Sequence, residues 1–149
     1  MPRTRSRLFP TPDDAETAFY EAFERADLAA MMAVWAESDE IVCIHPQGPR
    51  LSGFKAVRES WAQIFAGGSQ LRVRATETRS YDGQTVAVHN VVELVAPPGE
   101  NAPVTSVFAT NVYELTEGGW RMVVHHATPA PESPARPEED AASQAHTLH

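Results

Sequence analysis

Between Thr11 and Ala26 apolar residues recur at three- and four-residue spacing. Ala15, Ala18, Phe19, Ala22, Phe23 and Ala26 make one stripe, with Glu16, Glu21, Glu24 and Arg25 elsewhere around the axis, which predicts an amphipathic helix. The residues before it supply a helix start: a capping hydroxyl at Thr11, proline at Pro12, and acids at Asp13 and Asp14 that suit the helix dipole. Asp27 punctuates the run and predicts a second, short helix over Leu28 to Ala36. The β-branched stretch Ile41 to His45 predicts a short strand, ended by the loop Pro46-Gln47-Gly48-Pro49. Ser52-Gly53 leads into a third helix, Phe54 to Ala66, with Val57, Trp61, Ile64 and Phe65 on one face, and Gly67-Gly68 stops it.

From Leu71 the period shortens to two. Leu71, Val73 and Ala75 alternate with Arg72, Arg74 and Thr76; the turn Asp82-Gly83 leads to a run from Thr85 to Val95. After Pro97-Pro98-Gly99-Glu100-Asn101 come further strands over Val104 to Leu115 and Trp120 to Thr128, joined at Glu117-Gly118-Gly119. Helices segregated from a four-strand meander predict an α+β domain and argue against a doubly wound parallel sheet. In Thr85 to Val95 one face holds Val86, Val88, Asn90, Val92 and Leu94, and the other holds Ala87, His89, Val91, Glu93 and Val95. Both faces carry apolar bulk. Helices can cover one, so the expectation is a homodimer through the outer face. Residues 13–128 form the expected domain, with a flexible start over 1–12 and a Pro/Ala/Glu-rich disordered tail over 129–149.

Charge narrows the partners. The formal net charge is -8, and the arginines are scattered singly, so no basic stripe offers itself to nucleic acid. No apolar run reaches the roughly 18 residues of a membrane span, and the basic start Met1 to Arg7 has no apolar stretch behind it to form a signal peptide; a cytoplasmic protein is expected. Cys43 is the single cysteine, which excludes an internal disulfide, and its apolar setting predicts an inert thiol.

The segment Glu40-Ile41-Val42-Cys43-Ile44-His45-Pro46-Gln47-Gly48-Pro49-Arg50-Leu51-Ser52-Gly53, running into the third helix, resembles the SnoaL-like and ketosteroid-isomerase-like bacterial branch of the nuclear transport factor 2-like superfamily. The ending Gly118-Gly119-Trp120-Arg121-Met122-Val123-Val124-His125-His126-Ala127-Thr128 is similar to that branch's final strand. The resemblance implies a cystatin-like α+β barrel: a cone-shaped, curved antiparallel sheet wrapped over three N-terminal helices around an apolar pocket. Ketosteroid isomerases place an aspartate base directly before a proline, with a tyrosine and a protonated aspartate as donors. Residue by residue, the base position falls on His45, the tyrosine on Phe19 and the second donor on Thr110. Two of the three groups are replaced, so steroid isomerisation does not carry over.

His45 is nonetheless the first catalytic candidate, because it closes a strand beside a loop and an imidazole suits proton transfer near neutrality. His125 and His126 are adjacent on a strand and face opposite ways. Counting from Trp120 and Met122, His126 falls on the apolar face and is the second candidate. Phe19, Phe23, Trp35, Trp61 and Phe65 are expected to line the pocket, with Asn90 and Thr110 as its polar contacts and Asn111 as the alternative should the faces be reversed. His45, His89 and His126 have no ligand-like spacing, so neither a metal nor any other cofactor is expected. The expected function is binding of a small apolar molecule, with acid–base chemistry of isomerase, dehydratase or cyclase type at His45. The alternative is a non-catalytic homodimeric binding or assembly domain.

Overall fold

The computed structural model describes residues 8–67, 70–99 and 101–131. Three helices, α1 (Pro12–Arg25), α2 (Leu28–Val34) and α3 (Phe54–Ala66), pack against six strands: β1 (Val42–Ile44), β2 (Arg50–Ser52), β3 (Arg72–Asp82), β4 (Val86–Ala96), β5 (Thr105–Thr116) and β6 (Gly119–Pro129). Helix starts follow the local chemistry. Thr11 Oγ1 accepts from the Asp14 amide at 3.1 Å, and Asp27 Oδ1 accepts from the Ala30 amide at 3.0 Å. Between those two helices Ala26 adopts a left-handed turn, and its N–H closes α1 on Ala22 and Phe23. Gly53 precedes α3 with φ 90°, a conformation that a side chain would strain.

The strands lie in the order β2-β1-β6-β5-β4-β3, an unclosed sheet whose long strands form the expected antiparallel meander. Two features differ from the sequence reading. The loop after β1 folds back as β2, and β1 runs parallel to β6, so the sheet is mixed rather than purely antiparallel. A three-residue strand such as Arg50-Leu51-Ser52 has too little periodicity to show in a sequence. The flexible start also needs revision: Phe9 bridges to Gly119, and its carbonyl accepts from the Trp120 amide at 2.8 Å. The expected flexibility of residues 1–7, and disorder beyond residue 131, lie outside the described residues.

A bulge in β6 decides which side chains face inward. Val112 pairs with Val124 but Tyr113 pairs with Met122, so Val123 is the extra residue. Before it Trp120 and Met122 are buried; after it the buried residues are His125 and Ala127. One inserted residue moves everything beyond it to the other face. β3 carries a second irregularity between Thr76 and Arg79, where Glu77 has φ 52°.

The inner face therefore presents Ala87, His89, Val91 and Glu93 from β4, Val107, Ala109, Asn111 and Tyr113 from β5, and Met122, His125 and Ala127 from β6, all buried. α1 packs over it with Ala15, Phe19, Tyr20 and Ala22, and Trp61 of α3 joins them fully buried. The outer face carries Tyr81, Val88, Val92, Leu94, Phe108, Val112 and Val124, none of them buried.

Candidate functional site

The inner face carries two connected arrangements, one aromatic and one polar. In the aromatic part Trp61 is the hub. Phe19, Phe23 and Phe65 lie 5.6, 5.0 and 5.6 Å from its ring, and the imidazoles of His45 and His125 lie 4.8 and 6.2 Å away. These rings fill the space around one another. The indole N–H of Trp61, like that of Trp35, is buried with no acceptor among the described residues, a cost of about 1–3 kcal/mol that the surrounding packing must offset.

His45 sits at the rim of this cluster, partly buried, with Nε2 3.0 Å from Ser60 Oγ. Ser60 donates its one proton to the Val57 carbonyl at 2.7 Å. Nε2 of His45 must then be the donor to Ser60, which leaves the basic lone pair on Nδ1. Burial lowers the pKa of His45 below the ordinary imidazole value. Cys43, behind it, is fully buried, and burial pushes its thiol up to about 12, as expected of an inert cysteine.

The polar part runs across the inner face in one consistent direction of donation. His125 Nδ1 meets Asn111 Oδ1 at 2.6 Å. Burial lowers His125 to about 3, with smaller contributions from His45 and His126, so the ring is neutral and Nδ1 is the donor. Asn111 Nδ2 donates to Tyr20 Oη at 3.0 Å and to Glu16 Oε2 at 3.2 Å. Tyr20 donates to Glu93 Oε2 at 2.7 Å, and Tyr113 donates to Glu16 Oε2 at 2.9 Å. On the far side His89 Nδ1 meets Glu16 Oε1 at 3.1 Å, and His89 Nε2 meets Asp82 Oδ1 at 2.9 Å. The bond to Glu16 and the pairing with Asp82 outweigh burial and raise His89 to about 9. His89 is thus an imidazolium between two carboxylates.

Glu93 is the group poised near neutrality. It is buried, and loss of solvent pushes its carboxyl up to about 7 against the Tyr20 hydrogen bond that pulls it down. Burial first, then the charge of Glu93, raises the Tyr20 hydroxyl, so it stays a donor. A concavity of about 420 Å³ opens beside this group, between α1 and β3, with Glu16, Tyr20, Glu24, Arg25, Arg74 and Thr78 among its walls.

The sequence-predicted residues separate into two sets. His45, Phe19, Phe23, Trp61 and Phe65 come together inside, and Trp35 is buried beside β6, where it bridges to Met122. His126, Asn90 and Thr110 do not join them. They form one row across the outer face, Asn90 paired with Thr110 and Thr110 with His126, and Asn90 Nδ2 donates to Thr110 Oγ1 at 3.0 Å. Their assignment to the pocket is corrected, and the reason is the face: the inner row is His89, Asn111 and His125, with Asn111 the residue kept as the alternative. Tyr20 and Asn111 each lie one position past the residues matched to the isomerase donors. Glu16, Tyr20, Glu93 and Tyr113 went unrecognised. The available signal was that helix α1 places Glu16 and Tyr20 four residues apart on one edge of its apolar stripe.

A family model described as a SnoaL-like domain matches residues 13–131. Among solved structures, a candidate association domain of calcium/calmodulin-dependent protein kinase type II from Thiobacillus denitrificans is 41% identical, with a TM-score of 0.75, and the match covers 83% of this chain and 98% of that one. A candidate dehydratase of the nuclear transport factor 2-like family from Streptomyces avermitilis is 29% identical, with a TM-score of 0.72, over 79% of this chain and 93% of that one. The F-box protein SKIP8 of Arabidopsis thaliana is 30% identical over 115 residues, which are 75% of this chain but 46% of that protein. This chain therefore spans about half the length of that curated relative.

Proposed function

The chain belongs to the SnoaL-like domain family and has the fold of nuclear transport factor 2-like proteins, and on that premise we propose that it is a homodimeric assembly domain that self-associates through the outer face of its sheet. One observation carries this reading. Four polar residues, His89, Glu93, Asn111 and His125, lie buried on the inner face among its apolar ones, while the outer face carries apolar side chains that are not buried. Val88, Val112 and Val124 form one row across three strands, and Val92 and Phe108 pair in another. Tyr81, Val86 and Phe108 are 83%, 45% and 42% exposed. An apolar face left to water is costly by about 25 cal/mol per Å², and a second copy removes that cost. The similarity to a candidate association domain supports the same reading.

Light scattering after size exclusion tests it. The wild-type chain is expected to elute at twice its monomer mass, and Phe108→Arg and Val88→Arg are each expected to shift it to monomer while keeping native circular dichroism. A wild-type monomer, or variants that remain dimeric, contradicts the reading.

A second reading is favoured by the Glu93 carboxyl at about 7. In it the groove between α1 and β3 admits a small molecule, and the Tyr20–Glu93 pair exchanges a proton with it. A carboxyl titrating near neutrality suits both acid and base roles, and the similarity to a candidate dehydratase is consistent with it. Small molecules that raise the melting temperature of the wild-type chain are expected to lose that effect with Thr78→Trp, which fills the groove. If no compound shifts it, or the variant responds equally, this reading fails.

A further inference from the structure

We infer that Asp13, Asp82 and His89 form a binding site for a divalent transition-metal ion at the end of the sheet where the β3–β4 hairpin meets the start of α1. The three residues come from the first turn of α1, the last position of β3 and the inner face of β4. His89 Nε2 lies 2.9 Å from Asp82 Oδ1 and 3.9 Å from Asp13 Oδ1, and the three ligand atoms lie within 4.8 Å of one another. Ligands held about 2.0–2.2 Å from one metal stand roughly 3–4 Å apart, so only a small closure is needed. The Asp13 side chain is 82% exposed and can turn freely to make it.

What distinguishes this cluster from an ordinary acidic patch is the support behind the histidine. His89 is fully buried, and its Nδ1 donates to Glu16 Oε1 at 3.1 Å. Glu16 is itself fixed by Tyr113 and Asn111 at its other oxygen. That locks the ring so that Nε2 points at the two aspartates, the carboxylate–histidine arrangement that orients a metal-ligating imidazole. Charge favours the ion as well. Three carboxylates, Asp13, Glu16 and Asp82, surround the His89 ring, and a dication at Nε2 balances more of their negative charge than a proton there does. One imidazole nitrogen and two carboxylate oxygens suit a borderline ion of the zinc or cobalt kind, with water in the remaining positions. Asp82 is 45% exposed, which leaves that side open.

The test is calorimetric titration of Zn²⁺ into the chelator-treated full chain, with Co²⁺ absorption as a second readout. The expected result is one site per chain, a tetrahedral or five-coordinate cobalt spectrum, and affinity about ten-fold or more weaker in each of Asp13→Asn and Asp82→Asn. Both substitutions are at exposed side chains and leave the fold intact, which melting curves will show. The inference is overturned if no site saturates below about 100 μM, where binding is weaker than about 5 kcal/mol. It is equally overturned if Asp13→Asn and Asp82→Asn both bind like wild type, since the ion would then sit elsewhere on the chain.

Discussion

Replacing Glu16 with alanine is expected to destabilise the domain by about 3–5 kcal/mol, the cost typical of breaking a buried charged pair from one side. Glu16 is the acceptor on which the inner-face network converges. One oxygen takes the His89 Nδ1 proton, and the other takes the Tyr113 hydroxyl and the Asn111 amide. Without it a buried imidazolium loses a counter-charge and two buried donors lose an acceptor. Glu16→Gln keeps the volume and one acceptor oxygen, so its loss should be smaller. Urea denaturation of the two variants measures both; a loss below about 1 kcal/mol for Glu16→Ala would mean that water replaces the network at little cost.

The second large effect is in acid. His125 is lowered to about 3 from an ordinary value of 6.5, so between those limits the unfolded chain takes up a proton that the native chain refuses, and stability falls as the pH falls. Glu93 works the other way. Its carboxyl is raised to about 7 from 4.5, so between those limits the native chain holds a proton that the unfolded chain lacks, and stability rises as the pH falls. The two slopes oppose each other between pH 6.5 and 4.5 and flatten the profile there. Below 4.5 Glu93 no longer opposes the His125 slope, which is worth about 2 kcal/mol down to pH 3. Glu93→Gln removes one slope and keeps the Tyr20 hydrogen bond. The onset of acid destabilisation is therefore expected to move from about pH 4.5 up to about pH 6.5. Thermal melts across pH for the two proteins show whether it does, and coincident profiles would remove Glu93 and His125 from this role.

Much of the scaffold is legible from local rules. Thr11, Pro12 and Asp27 announce helix starts by capping chemistry, α3 has the predicted bounds, and the period-two stretches become β3 to β6. The aromatic half of the inner site follows too, because Phe19 and Trp61 stand on helical stripes whose apolar side must face the sheet. The polar half is hidden for two physical reasons. A single bulge at Val123 reverses the face of every later residue in β6, and no residue type marks it, so His125 rather than His126 turns inward. The faces of β4 also invert the usual rule. Val88, Val92 and Leu94 suggest a core-facing row, yet the side with His89 and Glu93 is the one α1 covers, because Glu16 and Tyr20 satisfy those polar groups across 73 positions of chain. Reading hydrophobicity alone assigns the more apolar face to the core. In β4 the rule fails because the polar groups of the covered face find partners in α1.

That inversion is the centre of the account, and sedimentation equilibrium of the unmodified chain tests it most directly. From micromolar concentrations downward the chain is expected to be a dimer that dissociates on dilution into a folded monomer. A monomer at every concentration, with no association even at hundreds of micromolar, would contradict it and leave Val88, Val112 and Phe108 on the outer face without a partner.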